Sequence, residues 1–267
     1  MNIVMRFPEG KFKCLTFSYD DGGPGDERLC KTLNKYGLKG TFNLNSFKVN
    51  EKTNKNIYIP LGHEVAMHTY NHPMIAELPD AVAMEEILSD KKHLEQAFET
   101  IIVGGAYPFG SYSKKVEDML KLSGVKYFRH VTATHRFDMP GNWLELFPTC
   151  HHADKELMNL AKDFVDIKKN ENIWWEPRPK MFYVWGHTFE FDRDDNWQII
   201  EEFAEFISGR DDVWYETNAE IYRYTEAFSR LEFSSCGTMV YNPTAQTIWF
   251  ETGGKEYAIA SGENMKI

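Results

Sequence analysis

The segment Lys13-Cys-Leu-Thr-Phe-Ser-Tyr-Asp-Asp-Gly-Gly-Pro-Gly25 carries the signal from which the fold is predicted. Its first seven residues, 13–19, alternate around apolar side chains and predict a short buried strand. The run from Asp20 to Gly25 ends that strand, because Gly and Pro break regular structure. Residues 26–36 then have the pattern of a helix, which Gly37 terminates. A strand, a polar turn and a helix therefore form the unit that this segment introduces.

The same unit recurs along the chain. Strands are predicted at residues 39–44, 62–67, 105–107, 125–130 and 181–185, and helices at 78–98, 113–122, 153–167, 194–207 and 217–228. Strands that alternate with helices at this spacing favour a parallel sheet, and over ~250 residues a closed (β/α) barrel is the simplest architecture. The predicted fold class is therefore α/β.

The last part of the chain departs from this alternation. Residues 246–251 and 256–260 have the pattern of two strands joined across Gly253-Gly254, which is a hairpin signal. We therefore predict a (β/α) barrel over residues 1–233, ending in a helix, and a small C-terminal β extension packed on it over residues 234–267.

Composition and charge exclude several classes of protein. The 267 residues include 30 Lys and Arg against 40 Asp and Glu, a formal net charge of −10. This balance argues against a nucleic-acid partner and against an anionic membrane surface. No apolar run approaches the ~20 residues of a membrane span, and the first residues do not have the pattern of a signal peptide. The four cysteines lie far apart without a C-x-x-C pair, so we expect reduced thiols and a cytoplasmic location.

Two polar segments have the residue types of a metal site. Asp20 and Asp21 are adjacent at a strand end, where alternate side chains point in opposite directions, so one can ligate a metal while the other faces a substrate. The simpler alternative is an Asp-Gly turn with solvated acids. His68 and His72 have i, i+4 spacing, about one helical turn, so both imidazoles can reach one ion. The simpler alternative here is two unrelated histidines in a polar helix start.

Two further segments could contribute to catalysis. Residues 104–110 read Gly-Gly-Ala-Tyr-Pro-Phe-Gly, in which the glycines allow the close backbone approach that an oxyanion donor requires. A purely structural turn is the alternative. The strand at 182–187 ends in His187, a position suited to catalysis in a barrel, although a hydrogen-bonded core histidine would have the same pattern.

The order of these four segments resembles that of the polysaccharide deacetylase family, the NodB-homology carbohydrate esterases. The resemblance covers roughly residues 12–215. It implies a distorted (β/α) barrel and a metal-dependent hydrolase, in which metal-activated water attacks the acetamide carbonyl of an N-acetylated sugar.

The resemblance also implies roles for individual residues. Asp21, His68 and His72 would bind one divalent metal ion, with Zn²⁺ expected first and Co²⁺, Ni²⁺ or Mn²⁺ as other candidates. Asp20 would be the general base that takes a proton from the attacking water, and His187 the general acid that protonates the leaving amine.

Three residues are expected to contact the substrate. The backbone N–H of Tyr107 would stabilise the oxyanion, with Pro108 beside it, and Trp185 precedes His187 where the family usually has Leu. Trp143, Trp174, Trp175 and Trp185 could also form a wall on which a sugar stacks, with core packing as the alternative for each.

The sequence departs from the family at the catalytic aspartate's usual partner. The family has an arginine that orients this aspartate, and Ala106 stands at that position. Arg136 or Arg178 could reach in from another loop. The fourth family motif is only loosely echoed by residues 138–143, and a second metal site at Cys150-His151-His152 is disfavoured because adjacent histidines point in different directions.

These observations leave three interpretations of function. The first is a deacetylase acting on an N-acetylated sugar or glycan fragment. The second is a hydrolase of a small non-sugar amide or cyclic imide. The third is a glycan-binding pseudoenzyme that lacks the usual arginine. The net charge of −10 favours a neutral or amine-bearing sugar over a strongly anionic polymer.

Overall fold

Parallel strands make up the main sheet of the computed structural model, which describes residues 2–169 and 178–267. The strands are β1 (Ile3–Arg6), β2 (Lys13–Asp20), β3 (Gly40–Leu44), β4 (Glu64–Met67), β5 (Gly104–Ala106), β6 (Tyr127–Arg129), β7 (Cys150–His151), β8 (Lys180–His187), β9 (Val213–Tyr215), β10 (Glu232–Phe233), β11 (Met239–Tyr241), β12 (Ile248–Thr252), β13 (Lys255–Ile259) and β14 (Asn264–Lys266). The helices are α1 (Asp26–Lys35), α2 (Asp80–Phe98), α3 (Lys114–Leu122), α4 (Leu157–Asp166), α5 (Thr188–Arg193), α6 (Gln198–Ile207) and α7 (Asn218–Ser229).

The order of the strands places β2 at the centre of the main sheet. The sheet runs β6-β5-β4-β3-β2-β8-β7, with β9 also paired to β2, and these pairings are parallel. Every residue of β2 is buried, as expected for a parallel strand covered on both faces. The segment at Leu146 bridges to Arg129, so the curled sheet continues from β6 towards β7. The predicted α/β fold, a distorted (β/α) barrel, is confirmed.

Apolar stripes on the helices hold the sheet in place. On α1 the buried positions Leu29 and Leu33 are one turn apart, and on α6 Phe203 and Ile207 have the same spacing. Each such side chain contributes ~1.5–3 kcal/mol when it is buried. Because the strands run parallel, their carboxyl ends lie along one edge of this sheet.

The C-terminal hairpin forms as predicted. Strands β12 and β13 pair antiparallel across Gly253 and Gly254. In addition, β12 pairs antiparallel with β1, and β11 pairs with both β10 and β14. Beginning and end of the chain therefore share one small sheet, and the division into residues 1–233 and 234–267 stays a prediction.

Three local predictions need correction. The helix predicted over 194–207 begins later, since α6 starts at Gln198, Asp195 has a φ of 47°, and residues 188–193 form the separate helix α5. The short strands β7 and β9 were not predicted, because two or three residues carry no periodicity of their own. The segment 68–72, expected to be a helical turn, is non-helical.

Among the helices of the described residues, none has the length and apolar character needed to cross a bilayer.

Candidate active site

Asp21, His68 and His72 meet at the carboxyl ends of β2 and β4. The His68 Nε2 and His72 Nε2 atoms are 3.1 Å apart, and Asp21 Oδ1 lies 3.5 Å from His72 Nε2 and 3.9 Å from His68 Nε2. Ligand atoms ~2.1 Å from a shared ion in tetrahedral geometry are ~3.4 Å apart. The three side chains are therefore spaced as ligands of one ion are.

Unusual backbone conformations bring these side chains together. Asp21, Thr69 and His72 have φ values of 75°, 59° and 60°, in the left-handed region that non-glycine residues rarely adopt. Such conformations cost on the order of 1 kcal/mol or more each and cluster at functional sites. A tight non-helical turn therefore brings the two imidazoles together, whereas the i, i+4 spacing predicted a helical turn.

The hydrogen bonds of His68 leave one ring nitrogen available as a ligand. Its Nδ1–H donates to the carbonyl oxygen of Ala106 over 2.8 Å, so the lone pair is on Nε2, which faces His72 and Asp21. Burial lowers the pKa of His68 to about 4, so the ring is neutral at pH 7.

Asp90 of α2 supports this turn and was not anticipated. Its carboxylate accepts the backbone N–H groups of Ser46 (2.9 Å) and His68 (3.0 Å). Burial raises its pKa to about 7, although the hydrogen bonds oppose the shift. The signal in the sequence was an acidic residue three positions after Ile87 and four before Leu94, on the buried face of the helix.

The donor set fits the metal that the family resemblance implies. Two imidazole nitrogens and one carboxylate suit a borderline divalent ion such as Zn²⁺, and they leave coordination positions open. The strained backbone and the oriented His68 ring are the features expected around such a site.

Asp20 is a buried carboxylate held on both oxygens. Asn43 Nδ2 donates to its Oδ1 over 2.8 Å, and the Arg129 guanidinium donates to its Oδ2. Burial acts to raise the pKa of Asp20, but the charges of Arg129, His68 and His187 and the Asn43 hydrogen bond together leave this pKa lowered. The carboxylate is therefore ionised and oriented.

Arg129, and neither of the two arginines suggested from the sequence, partners Asp20. Arg136 is exposed and pairs with Asp138, and Arg178 is also exposed. Arg129 is fully buried at the end of β6, directly opposite Ala106 of β5 in the sheet register. The family has its arginine at the position of Ala106 on β5. Here the guanidinium comes from the residue opposite that position on the neighbouring strand, β6.

His187 lies at the end of β8 beside the metal-type cluster. Its Nε2 is 4.0 Å from Asp21 Oδ2, and its Nδ1 is 3.3 Å from Glu190 Oε2. Burial acts to lower its pKa, but the Glu190 carboxylate and the charges of Asp20 and Asp21 leave this pKa raised. Glu190, three residues further on, was also missed by the sequence reasoning.

The sequence predicts that the backbone N–H of Tyr107 stabilises the oxyanion, but in this structure that N–H already has a hydrogen-bond acceptor. Its N–H donates to the carbonyl of Arg129 over 2.9 Å, its hydroxyl donates to the carbonyl of Leu144, and the residue is fully buried. Pro108 is buried as well, whereas Phe109 is 64% exposed with its ring 4.4 Å from the ring of His72. Phe109 is the side chain of this segment that lines the site.

The tryptophans have mainly packing contacts. Trp185 is 9% exposed, and the guanidinium of Arg129 stacks on its ring at 4.2 Å. Trp143 packs edge-on against Tyr222. Trp174 and Trp175 lie outside the described residues.

A cleft of about 310 Å³ opens beside Asp21. Its walls include Leu44, Asn45, Lys48 and Tyr58. Lys48 Nζ lies 4.0 Å from Asp21 Oδ1 and donates to Asn45 Oδ1 over 3.2 Å. A small polar molecule in this cleft can therefore contact Asp21, one member of the metal-type cluster.

Comparison with known families agrees with the resemblance inferred from the motifs. Residues 8–128 match the model of the family described as polysaccharide deacetylase. The matched region includes Asp20, Asp21, His68 and His72, whereas His187 lies beyond it. No curated protein matches the sequence.

Solved structures share the fold at low sequence identity. A Mycobacterium smegmatis protein named as a polysaccharide deacetylase is 16% identical with a TM-score of 0.63, covering 86% of this chain and 96% of its own. PuuE allantoinase is 12% identical with a TM-score of 0.61, covering 81% and 91%. A CE4-family pseudoenzyme of Bacillus anthracis is 17% identical with a TM-score of 0.51, covering 82% and 68%. At these identities the likeness establishes the fold.

Proposed function

Because the chain resembles the polysaccharide deacetylases in fold and over residues 8–128 in sequence, we propose that it is a metal-dependent hydrolase that deacetylates an N-acetylated sugar or glycan fragment. One observation carries the proposal. The three metal-type ligands Asp21, His68 and His72 lie next to a carboxylate, Asp20, that a buried arginine holds ionised.

In this proposal Asp20 accepts the proton of the attacking water. Its lowered pKa keeps it ionised at neutral pH, and Asn43 and Arg129 hold its orientation. A bound divalent ion, Zn²⁺ by preference, would supply Lewis acidity that polarises the acetamide carbonyl.

His187 donates a proton to the leaving amine. An amine leaves an amide only when it is protonated, and the raised pKa of His187 increases the protonated fraction at neutral pH. Glu190 holds the ring from the Nδ1 side, so Nε2 is on the side of Asp21, 4.0 Å from Asp21 Oδ2.

The proposed location is the cytoplasm. Supporting it, Cys14, Cys30 and Cys150 are buried as free thiols and Cys236 is exposed as a free thiol. Reduced cysteines are typical of cytosolic proteins.

The test is acetate release from a panel of N-acetylated mono- and oligosaccharides. We expect turnover that a chelator abolishes and that one equivalent of Zn²⁺ restores. Asp20→Asn should lower kcat by ~10²-fold or more while the metal content stays unchanged. Loss of metal from this variant would mean that the roles of Asp20 and Asp21 are exchanged, and full activity of the variant would refute the base assignment.

The second candidate is hydrolysis of a small non-sugar amide or cyclic imide, which the fold shared with an allantoinase supports. Activity on such compounds together with inactivity on the sugar panel would select it. The pseudoenzyme interpretation rested on the arginine missing at position 106, and Arg129 beside Asp20 removes that reason. It would regain support if glycans bound without turnover of any substrate.

A further inference from the structure

A second group of metal-type side chains lies on the far side of the His187 ring from Asp21. His151 of β7, His187 of β8 and Glu190 of α5 each offer one ligand atom, and the three atoms lie within 4.8 Å of one another. His151 Nε2 is 3.1 Å from Glu190 Oε2, and His187 Nδ1 is 3.3 Å from the same oxygen. Pairing of β7 with β8 sets His151 opposite Trp185 and so brings it to the edge where His187 lies.

The number of nitrogen atoms around Glu190 Oε2 exceeds what hydrogen bonding accommodates. Besides His151 and His187 Nδ1, the backbone nitrogen of His187 lies 3.2 Å away and His152 Nε2 lies 3.4 Å away. A carboxylate oxygen has two lone pairs, so it cannot accept well from four donors. The backbone N–H of His187 donates a hydrogen bond, whereas the separations of 3.1 and 3.3 Å from His151 Nε2 and His187 Nδ1 are those of ligand atoms that surround one tetrahedral ion at ~2.0–2.1 Å.

His152 adds a buried imidazole beside Glu190. Its side chain is fully buried, and neither Nδ1 nor Nε2 makes a hydrogen bond. Burying a polar group without a partner costs ~1–3 kcal/mol. The ring is clamped against Phe191 at 4.1 Å, and a Cβ at Gly186 would meet His152 Nδ1 at 1.9 Å. The imidazole of His152 can therefore lie against the cluster only because residue 186 on β8 is a glycine.

From this arrangement we propose that His151, His187 and Glu190 form a second site for a borderline divalent cation such as Zn²⁺, Co²⁺ or Ni²⁺. Two imidazoles and one carboxylate are the same donor set as Asp21, His68 and His72. The side chains of His151, His187 and Glu190 are 25%, 22% and 15% exposed, so an ion can enter from solvent.

This ligand set differs from the Cys150-His151-His152 run considered in the sequence. Of that run only His151 belongs to the three-residue set, since Cys150 is buried in the hydrophobic core and the buried ring of His152 stacks on Phe191. The two further ligands come from β8 and α5, which the sequence places more than thirty residues away.

The imidazole of His187 would be shared by the two sites. His187 faces Asp21 with Nε2 and Glu190 with Nδ1, so a cation at the second site would occupy the nitrogen that Glu190 otherwise holds. Any effect of this on turnover rests on the proposed function, whereas binding itself does not, and binding is what the test measures.

The test is titration of metal-stripped protein with Zn²⁺ or Co²⁺, followed by equilibrium dialysis and metal analysis. We expect two equivalents for the unaltered protein, one for His151→Gln, one for Asp21→Ala and none for the double variant. His135→Gln is the matched control, since this histidine is 46% exposed, pairs with Asp154 and belongs to neither group, and it should keep two equivalents.

A single equivalent that His151→Gln leaves unchanged would overturn the second site, as would two equivalents retained by His151→Gln. The unaltered protein could instead bind one equivalent that is lost in His151→Gln and kept in Asp21→Ala. That result would support the second site and refute the metal assignment of the proposed function. If His151→Gln does not fold by circular dichroism, Glu190→Gln, which preserves side-chain shape, takes its place. Retention of both equivalents by folded Glu190→Gln would also overturn the second site.

Discussion

Arg129 and Asp20 form a buried ion pair on which the chemistry of the proposed site depends. Both side chains are nearly inaccessible, at 0% and 2% exposure. Charges in such surroundings persist only when they are paired, and removing one partner leaves the other uncompensated. Stacking on Trp185 and the hydrogen bond to the His130 carbonyl hold the guanidinium beside Asp20.

Replacing Arg129 is therefore expected to damage activity more than metal binding. Arg129→Met should lower kcat/KM by ~10²-fold or more, because Asp20 loses the charge that keeps it ionised and oriented, while metal content stays near that of the unaltered protein. Arg129→Lys should recover part of the activity, since it restores charge but lacks the planar fork.

The control for this prediction is Arg136→Met, which removes an exposed arginine paired with Asp138. Steady-state kinetics and metal analysis on all three variants provide the measurement. Equal activity of Arg129→Met and Arg136→Met would show that Arg129 has no part in the reaction.

At the scale of elements, Glu64 ties four of them together at the opposite end of the sheet. The carboxylate of this β4 residue accepts from Thr41 of β3 (2.8 Å), Tyr127 of β6 (2.7 Å) and the backbone of Ala219 in α7 (2.9 Å). Burial raises its pKa from the ordinary value of 4.5 to about 6, against the opposing effect of these hydrogen bonds.

This shift predicts a pH-dependent contribution to stability. A raised pKa in the folded state means that folding favours the protonated carboxyl. The stabilisation is therefore fully present below pH ~4.5 and is lost as pH rises through about 6. Relative to Glu64→Gln, which has no charge to bury, the unaltered protein should lose on the order of 2 kcal/mol between pH 4 and 7.

Urea denaturation of both proteins at a series of pH values measures this difference. Glu85→Gln, an exposed glutamate of α2, is the control and should follow the unaltered protein. A constant difference between the unaltered protein and Glu64→Gln across the range would contradict the raised pKa.

Across the whole molecule, the two ends of the chain are joined by a buried ion pair. Arg6 of β1 is fully buried, and its guanidinium donates twice to Glu251 Oε2 of β12, at 2.8 and 3.0 Å. Lys169 also contacts this carboxylate. The small sheet formed by β1, β12 and β13 thus depends on residues 245 positions apart.

Glu251→Ala should destabilise the protein by ~3–5 kcal/mol, because it leaves the Arg6 charge buried without its carboxylate. Glu256→Ala on β13 is a matched control, since its carboxylate is 44% exposed and pairs with Lys169, and it should cost under ~1 kcal/mol. Thermal and urea unfolding of both variants measure the costs. Similar values for the two would show that the buried pair contributes no more than an exposed one.

Much of the fold could be predicted because its signals are local. The strand at 13–20, the helices at 26–35 and 80–98 and the hairpin across Gly253-Gly254 all lie close to their predicted positions. In each, the periodicity of neighbouring residues or a turn dipeptide carries the information. The metal-type residues Asp21, His68 and His72 could be named for the same reason, since each belongs to a short motif.

The partners of those residues could not be predicted, because they depend on how distant segments register. Arg129 reaches Asp20 because β6 aligns it with Ala106, and Asp90 supports His68 because α2 packs over β4. The N–H of Tyr107 is taken by the Arg129 carbonyl through the same alignment.

The sequence by itself therefore determined the α/β class, the order of the elements and the residue types that gather at the strand ends. The tertiary structure alone decided which arginine pairs with Asp20, which groups surround His187 and how β12 joins β1. The physical reason is that the pattern of side chains along one element is set by its own residues. Contacts between elements are set instead by strand register and core packing, which involve the whole chain at once.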